Sequence, residues 1–394
     1  MKILVICQYY YPEPFRHPDI CEELVKRGHD VTVVTGLPNY PMGEIYEGYR
    51  KGEKRDEVLN GVKVHRCFII GRKHGAVYRF LNYYSYAFSS VNYVKKIKEE
   101  YDVVFVNQLS PVMMANAAIC YKKKHNVPVV LYCLDLWPES LVAGGIKRNS
   151  TIYKFFHKVS ERIYKKPDKI LITSKSFSDY FIKEFGINDT EYLPQYAESI
   201  FKPEMCKKEP DGTIDLMFAG NIGEAQSVDT IIKAAILTQD ISNLRWHIVG
   251  DGSELEALKT MSRGLNNVVF HGRKSLEEMP KYYSMADAML VTMQKDPVLS
   301  LTLPGKVQTY MAAGKPIIGA IDGETALVIK EAECGICGGA EDVETLVKNV
   351  REFLNLDRNK LGINSRIYYE EHFNKETFIE KLEQYLSKYA TLRS

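Results

Sequence analysis

Three things are scarce in this sequence, and each absence excludes something. No apolar run comes near the ~20 residues that cross a bilayer, so no membrane-spanning segment is expected and any membrane contact is peripheral. Net charge is almost nil: 52 Lys and Arg stand against 50 Asp and Glu, a formal +2. Without a concentrated basic excess there is no case for a nucleic-acid partner. Patterned cysteine is the third scarcity. The eight cysteines are scattered, and Cys7, Cys120 and Cys133 sit in apolar runs, where a thiol packs as a small core residue. That usage suits a reducing cytosol. Cys334-Gly-Ile-Cys337 has the spacing of zinc and redox sites, but no second CxxC or His pair accompanies it, and no metal is expected. Met1 to Cys7 lacks a cleavable small-residue motif and reads as a buried strand, so the expectation is a cytoplasmic protein without a signal peptide.

What is present is a globular composition, 45% hydrophobic and 26% charged, in 394 residues. Single cores stop growing near ~250–300 residues, so two domains are expected. Short β-branched runs alternate with longer amphipathic segments. Ile3–Cys7, Val31–Thr35, Val103–Asn107, Val127–Cys133 and Ile170–Thr173 read as strands; Asp19–Arg27, Val77–Glu100, Pro111–Lys124 and Thr151–Lys165 carry helical spacing. Such alternation predicts an α/β fold with a parallel sheet covered by helices. Gln195 to Gly212 is rich in Pro, Lys, Glu and Asp and interrupts the pattern, which restarts at Ile214–Ala219. The expected division is therefore 1–200, a Rossmann-like domain; 201–372, a second; and 373–394, a terminal helix packing back on the first. In such folds ligands bind outside the carboxyl ends of the strands, so two doubly wound domains facing a cleft would place chemistry in the polar loops there.

Three such loops stand out in the second half. Gly220-Asn221-Ile-Gly223, followed by Gln226, lies between a strand and a helix; its glycines let N–H groups approach a phosphate at a helix start. Gly250-Asp251-Gly252 repeats that placement, although Asp251 also suits a helix cap. Pro304-Gly305-Lys306-Val-Gln308-Thr309 forms a rigid helix entry that puts an ammonium beside free N–H groups, an arrangement made for a diphosphate. Lys306 is the foremost phosphate candidate, since a helix N-terminus disfavours a cation that has no anion to meet. His271, at the end of another strand, joins these as a donor-site candidate. In the first half, Tyr11 and Arg16 follow the first strand, while Asp135, Trp137 and Glu139 follow a later one. A tryptophan flanked by carboxylates offers hydroxyl acceptors and a stacking plane, as a sugar site requires. The competing structural assignment makes Trp137 a core anchor and Glu139 a first-turn carboxylate. Arg66 to Lys98 interleaves basic and aromatic residues, a composition suited either to an anionic membrane surface or to an ordinary half-buried helix.

Arg27-Gly-His-Asp-Val-Thr-Val-Val-Thr35, Pro38-Asn-Tyr-Pro41, Asp135-Leu-Trp-Pro-Glu-Ser140, Gly220-Asn-Ile-Gly223, Gly250-Asp-Gly252 and Tyr310-Met-Ala-Ala-Gly-Lys-Pro316 together resemble family 4 of the GT-B glycosyltransferases. The likeness is to the WbuB-like bacterial branch that builds surface polysaccharides, and it runs nearly the whole chain. It implies a nucleotide-sugar substrate, UDP-linked and carrying an N-acetylated or deoxy hexose, held by Gly220, Asn221, Gly223, Gln226, Gly250, Asp251, Gly252, His271 and Pro304 to Thr309. It implies a saccharide or lipid-linked saccharide acceptor at Tyr11, Arg16, Trp137 and Glu139, catalytic roles for Asp135 and Lys306, retention of configuration and no metal or other cofactor. The chain departs from the family pattern at Leu134, where many members carry histidine. It departs again at Leu301 and Thr309, where a Glu-x7-Glu pair is usual, and at Asn221 and Gln226, where Arg and Lys are usual. Charge neutralisation then falls to Lys306 and Arg16, and ribose recognition to Gln308 or Thr309.

A sugar-nucleotide epimerase on the same scaffold and a non-catalytic two-lobe sugar-binding protein are the alternative readings. A dinucleotide dehydrogenase is disfavoured, because no Gly-x-Gly-x-x-Gly follows the first strand.

Overall fold

The computed structural model describes residues 1–73, 75–143 and 145–391. The chain divides into two units, one of Met1–Thr173, Phe177–Leu193 and Ile379–Ser394, the other of Ser174–Ser176 and Pro194–Phe378.

The first unit holds strands β1 (Lys2–Ile6), β2 (Asp30–Gly36), β3 (Asp56–Leu59), β4 (Val62–Cys67), β5 (Val103–Gln108), β6 (Val129–Cys133), β7 (Lys169–Ile172) and β8 (Thr190–Tyr192). They form one sheet in the order β3-β4-β2-β1-β5-β6-β7-β8. β1, β5 and β6 are buried on both faces from Ile3 to Ile6, Val103 to Gln108 and Val129 to Cys133, which is why they read as continuous apolar runs rather than alternating ones. All pairings are parallel except β3 with β4. That hairpin turns at Asn60 and Gly61, both at positive φ (47° and 85°), the Asn-Gly chemistry of a two-residue turn. It was not expected from composition, because β3 is charged and half exposed. The helix Thr151–Tyr164 starts where Ser150 accepts a hydrogen bond from Tyr153 N at 3.2 Å, a cap that contributes about 1 kcal/mol.

The second unit holds β9 (Ile214–Ala219), β10 (Leu244–Val249), β11 (Val268–Gly272), β12 (Ala288–Thr292), β13 (Ile317–Ala320) and β14 (Gly335–Gly338), all parallel in the order β11-β10-β9-β12-β13-β14. Side chains alternate across it. Met217, Met289 and Tyr310 belong to one core, whereas Leu216, Phe218, Trp246 and Ile248 belong to the core on the opposite face. β14 is the CxxC segment: Cys334 and Cys337 are free, and burial pushes both thiols up to about 12, so they are packing residues.

Boundaries differ from the expected ones by a few residues. Leu193 still belongs to the first sheet, its N–H donating to Ile172 O at 2.8 Å, while Ala197 N donates to the Tyr369 hydroxyl in the second unit. The division therefore falls at Leu193 rather than residue 200. The helix Lys375–Thr391 starts in the second unit, where Phe378 meets Tyr196, and Glu383 pairs with Arg27 and His29 in the first; the expected break at 373 is displaced to 378. The expected helix Pro111–Lys124 is a 3-10 turn, Val112–Ala115, followed by a helix, Asn116–His125. That expected to reach Glu100 ends at Val94. Among the described residues no helix is long and apolar enough to cross a membrane.

Candidate active site

In the second unit the expected loops converge. At the end of β9 the backbone passes through Gly220 (φ 152°), and its N–H donates to Val249 O at the end of β10. A Cβ on Gly250 (φ 145°) would collide with Gly220 O, and one on Gly252 would collide with Ile222 O. Ile222 N donates to Asp251 O and Glu254 N to Ile222 O, so the two loops are laced together through their backbones. Glycine is required here by close approach as well as by φ.

The helix Gly305–Ala312 starts beside this lacing, with Pro304 at its cap position. The buried Tyr310 hydroxyl fixes the juxtaposition, accepting from Ala219 N at 3.2 Å and donating to Ala219 O at 3.0 Å. One turn before Tyr310, Lys306 folds over the Phe218 ring with Nζ 4.0 Å from its centroid. A Cβ placed on Gly220 would lie 3.0 Å from this Nζ. Nζ is shielded from solvent and has no hydrogen-bond partner. Burial alone pulls the amine from its ordinary 10.5 down to about 7. A desolvated amine at a helix N-terminus, beside a glycine that keeps space open, is a site waiting for an anion.

The other expected donor residues divide. Asn221 and Gln226 clip their loop: Gln226 Oε1 accepts from Asn221 Nδ2 at 3.2 Å and from Gly223 N at 3.3 Å. Asp251 is exposed and accepts from the adjacent Gly252 N at 2.8 Å, a bond within the loop; the helix Leu255–Met261 has Glu254, not Asp251, at its cap position. Gln308 and Thr309 are buried and spent on their own helix. With the Gln308 amide turned to satisfy its surroundings, its nitrogen donates to Pro304 O and Gly305 O (2.9 and 3.2 Å), and the Thr309 hydroxyl donates to Gly305 O at 3.0 Å. Both donate to the opening of their own helix, and their oxygens keep acceptor capacity. His271 is likewise committed to the sheet. It meets His247 at 2.9 Å, which meets Asp215 at 2.7 Å, and burial, with the charges of His247 and Lys274, holds its imidazole down at about 4.

In the first unit the strand ends enclose a cavity of about 940 Å³. Its walls come from the loops after β1, β2, β4, β5 and β6 and from the starts of the helices Ala76–Val94 and Thr151–Tyr164. Asp135 lines it, bonded to the Ser110 hydroxyl, which in turn lies 2.7 Å from that of Ser140. Burial raises the Asp135 carboxyl above the ordinary aspartate range, opposed by the Ser110 bond. Trp137 also lines it, buried and edge-on to Tyr83 and Phe156, so it is wall and core anchor at once.

Glu139 does not face the cavity. Its carboxylate accepts from the Tyr153 hydroxyl (2.6 Å), the Tyr180 hydroxyl (3.0 Å) and Arg148 (2.7 Å), binding three helices together. Tyr11 turns outward, 53% exposed, and gives its carbonyl to Arg66. Arg16 occupies the position before the helix His17–Lys26, and its charge is felt by the buried Tyr132. None of these three lines the cavity. Sequence reasoning missed Ser110, whose place after β5 is the one available signal, and Arg72, which stood out only as one cation among many. The basic-aromatic stretch is split by the fold. Arg66 is buried against Glu57 in the hairpin, while Phe80 and Phe88 are exposed on the helix; His74 lies outside the described residues.

Residues 204–368 match Glycosyl transferases group 1, and residues 19–194 match Glycosyltransferase Family 4. The chain is 25% identical to the putative colanic acid biosynthesis glycosyl transferase WcaI of Escherichia coli (strain K12), over 97% of its own length and 98% of that protein. It is also 25% identical to the probable glycosyltransferase WbjE of Pseudomonas aeruginosa, over 64% of this chain and 66% of that one. Among solved structures, sucrose-phosphate synthase from Thermosynechococcus elongatus shares the fold at a TM-score of 0.75 and 16% identity over 100% of both chains. HepE of Anabaena, solved with UDP and glucose, does so at 0.70 and 14% identity over 98% of this chain and 99% of its own. Two parallel-sheet units, family matches that fall one on each half, and an anion-ready lysine after the glycine loops agree with one another: the chain belongs to family 4 of the GT-B glycosyltransferases and is a glycosyltransferase.

Proposed function

We propose that this enzyme transfers a hexose, N-acetylated or deoxy, from a UDP-linked donor to a saccharide or lipid-linked saccharide acceptor in surface-polysaccharide synthesis, with retention of configuration and without a metal, at the cytoplasmic face of the membrane. The observation that carries the reading is Lys306, a shielded amine without a polar partner at the entrance of the helix Gly305–Ala312. A donor diphosphate supplies the counter-charge that the fold omits. When the acceptor hydroxyl forms its bond to the anomeric carbon and the bond to the diphosphate breaks on the same face, negative charge grows on the leaving group and the proton passes to it. Lys306 and the helix N–H groups stabilise that charge, so no protein nucleophile is needed. Asp135 holds the acceptor hydroxyl.

The name of WcaI supports the polysaccharide role, and the UDP bound to HepE supports the nucleotide. The cavity in the first unit argues for transfer over epimerisation, because an epimerase has no acceptor to house. Exposed Phe80, Ile152 and Phe155 at its rim support a lipid-linked acceptor and peripheral membrane contact. Thermal shift with UDP, GDP and ADP tests the donor class. A ligand at a hundredfold excess over its Kd stabilises by about 2.7 kcal/mol. A shift with UDP is expected, and a shift with GDP or ADP in its place would reject the UDP assignment.

A further inference from the structure

Several buried or half-buried cations elsewhere in this chain keep carboxylate partners, although Lys306 and Lys315 do not. Arg66 has Glu57, Lys169 has Asp189 and Glu191, and Lys208 has Asp215 and Asp287. Arg72 has none within ion-pair distance among the described residues, although it lines the cavity of the first unit together with Asp135. Its guanidinium is packed among tyrosines instead, 6.0 Å from the Tyr40 ring centroid and 5.6 Å from that of Tyr83, and bonded to the Tyr9 hydroxyl. Its backbone is pinned as well: Arg72 N donates to Asn39 Oδ1 at 3.1 Å, and that same oxygen accepts from Asn82. A guanidinium held in place by backbone and ring contacts, with its charge uncompensated, is preorganised for a bidentate anion. The aromatic cage raises the attraction by keeping water away.

We propose that Arg72 binds an anionic group carried by the acceptor and so sets acceptor specificity in this cavity. The inference rests on the acceptor reading given above and adds to it the chemistry that the acceptor must carry. Two sources share that chemistry, the diphosphate of a lipid carrier and the carboxylate of an acidic sugar. The apolar rim of Phe80, Ile152 and Phe155, each at least half exposed, favours the lipid diphosphate, whose hydrocarbon would lie along it.

Trp137 in the cavity wall supplies the readout, with Trp246, the other tryptophan, replaced by Phe. Fluorescence titration of the whole chain with farnesyl diphosphate, farnesol and glucuronic acid compares wild type with Arg72→Gln and Arg72→Lys. The expected result is at least a tenfold loss of farnesyl diphosphate affinity in Arg72→Gln, partial recovery in Arg72→Lys, and unchanged farnesol affinity, which also shows that the variants fold. Loss confined to glucuronic acid would support the anion site and assign it to the sugar. Equal affinity of wild type and Arg72→Gln for both anions would overturn the proposal while leaving the transferase reading intact. Binding of none of the three probes would overturn it together with the lipid-acceptor reading, whereas stabilisation by UDP reports on the donor reading separately.

Discussion

Lys306 offers the sharpest test of the donor site, because its environment converts phosphate binding into proton uptake. The free amine titrates near 7, far below the ordinary 10.5, because it is desolvated and has no partner. A bound diphosphate removes both conditions and restores the charged form, so the complex holds more protons than the free enzyme above pH 7. By linkage, affinity must then fall as pH rises: the Kd should rise about tenfold per pH unit above 7 until the amine of the complex itself begins to titrate. Uptake should be about half a proton at pH 7 and about 0.9 at pH 8. The probe should be a UDP-sugar such as UDP-glucose, whose diester phosphates do not titrate in this range. Calorimetry in buffers of different ionisation enthalpy measures the uptake directly. Lys306→Arg keeps its charge throughout and should bind with a flat profile between pH 6.5 and 9. Lys306→Met should lose affinity at pH 6.5 yet raise the melting temperature of the free enzyme, by about 2–4 °C for each kcal/mol gained, because a buried lone cation is removed. A flat wild-type profile, or an Lys306→Arg variant with the wild-type slope, would refute the argument.

Other outcomes follow from the same geometry. Glu139→Ala should leave two buried tyrosine hydroxyls unsatisfied, each worth roughly 1–3 kcal/mol, and lower the urea midpoint, with surviving protein binding acceptor normally. Tyr310→Phe removes the link between β9 and its helix; stability should fall by about 1–3 kcal/mol in denaturant titration, and UDP affinity should fall with it. Asp135→Asn should lower kcat roughly 10²-fold while UDP binding is unchanged. Because burial raises that carboxyl, the wild-type rate should fade on the acid side at a higher pH than an ordinary aspartate would give.

The parallel sheets were legible in the sequence because strands buried on both faces leave continuous apolar runs, as from Ile3 to Ile6 and from Leu216 to Ala219. The β3–β4 hairpin was not, since Asp56, Glu57 and Lys63 mask its pattern; the Asn60-Gly61 pair was the overlooked signal. Gly335 to Gly338 is a strand through its pairing with β13, which local composition cannot reveal. Asp135 was legible as a candidate because it is a charge placed after a strand, and Lys306 because it is a cation at a Pro-Gly helix entry. Glu139 and His271 meet the same rule, and only their partners, the tyrosines 14 and 41 residues away and His247, show that they are structural. Arg72 illustrates the converse. What distinguishes it is a missing carboxylate, and a linear sequence does not reveal which neighbours a side chain lacks.

The lacing of Gly220, Ile222, Gly250 and Gly252 has an evolutionary consequence. Where two main chains touch, mutation has almost no room to act, so this pair of loops is constrained at the level of the backbone. Room for change is left to what projects from it, such as the amides of Asn221 and Gln226, which bond to each other at 3.2 Å. Substitution at these two positions can therefore retune the charge and polarity of the loop while its backbone course stays the same.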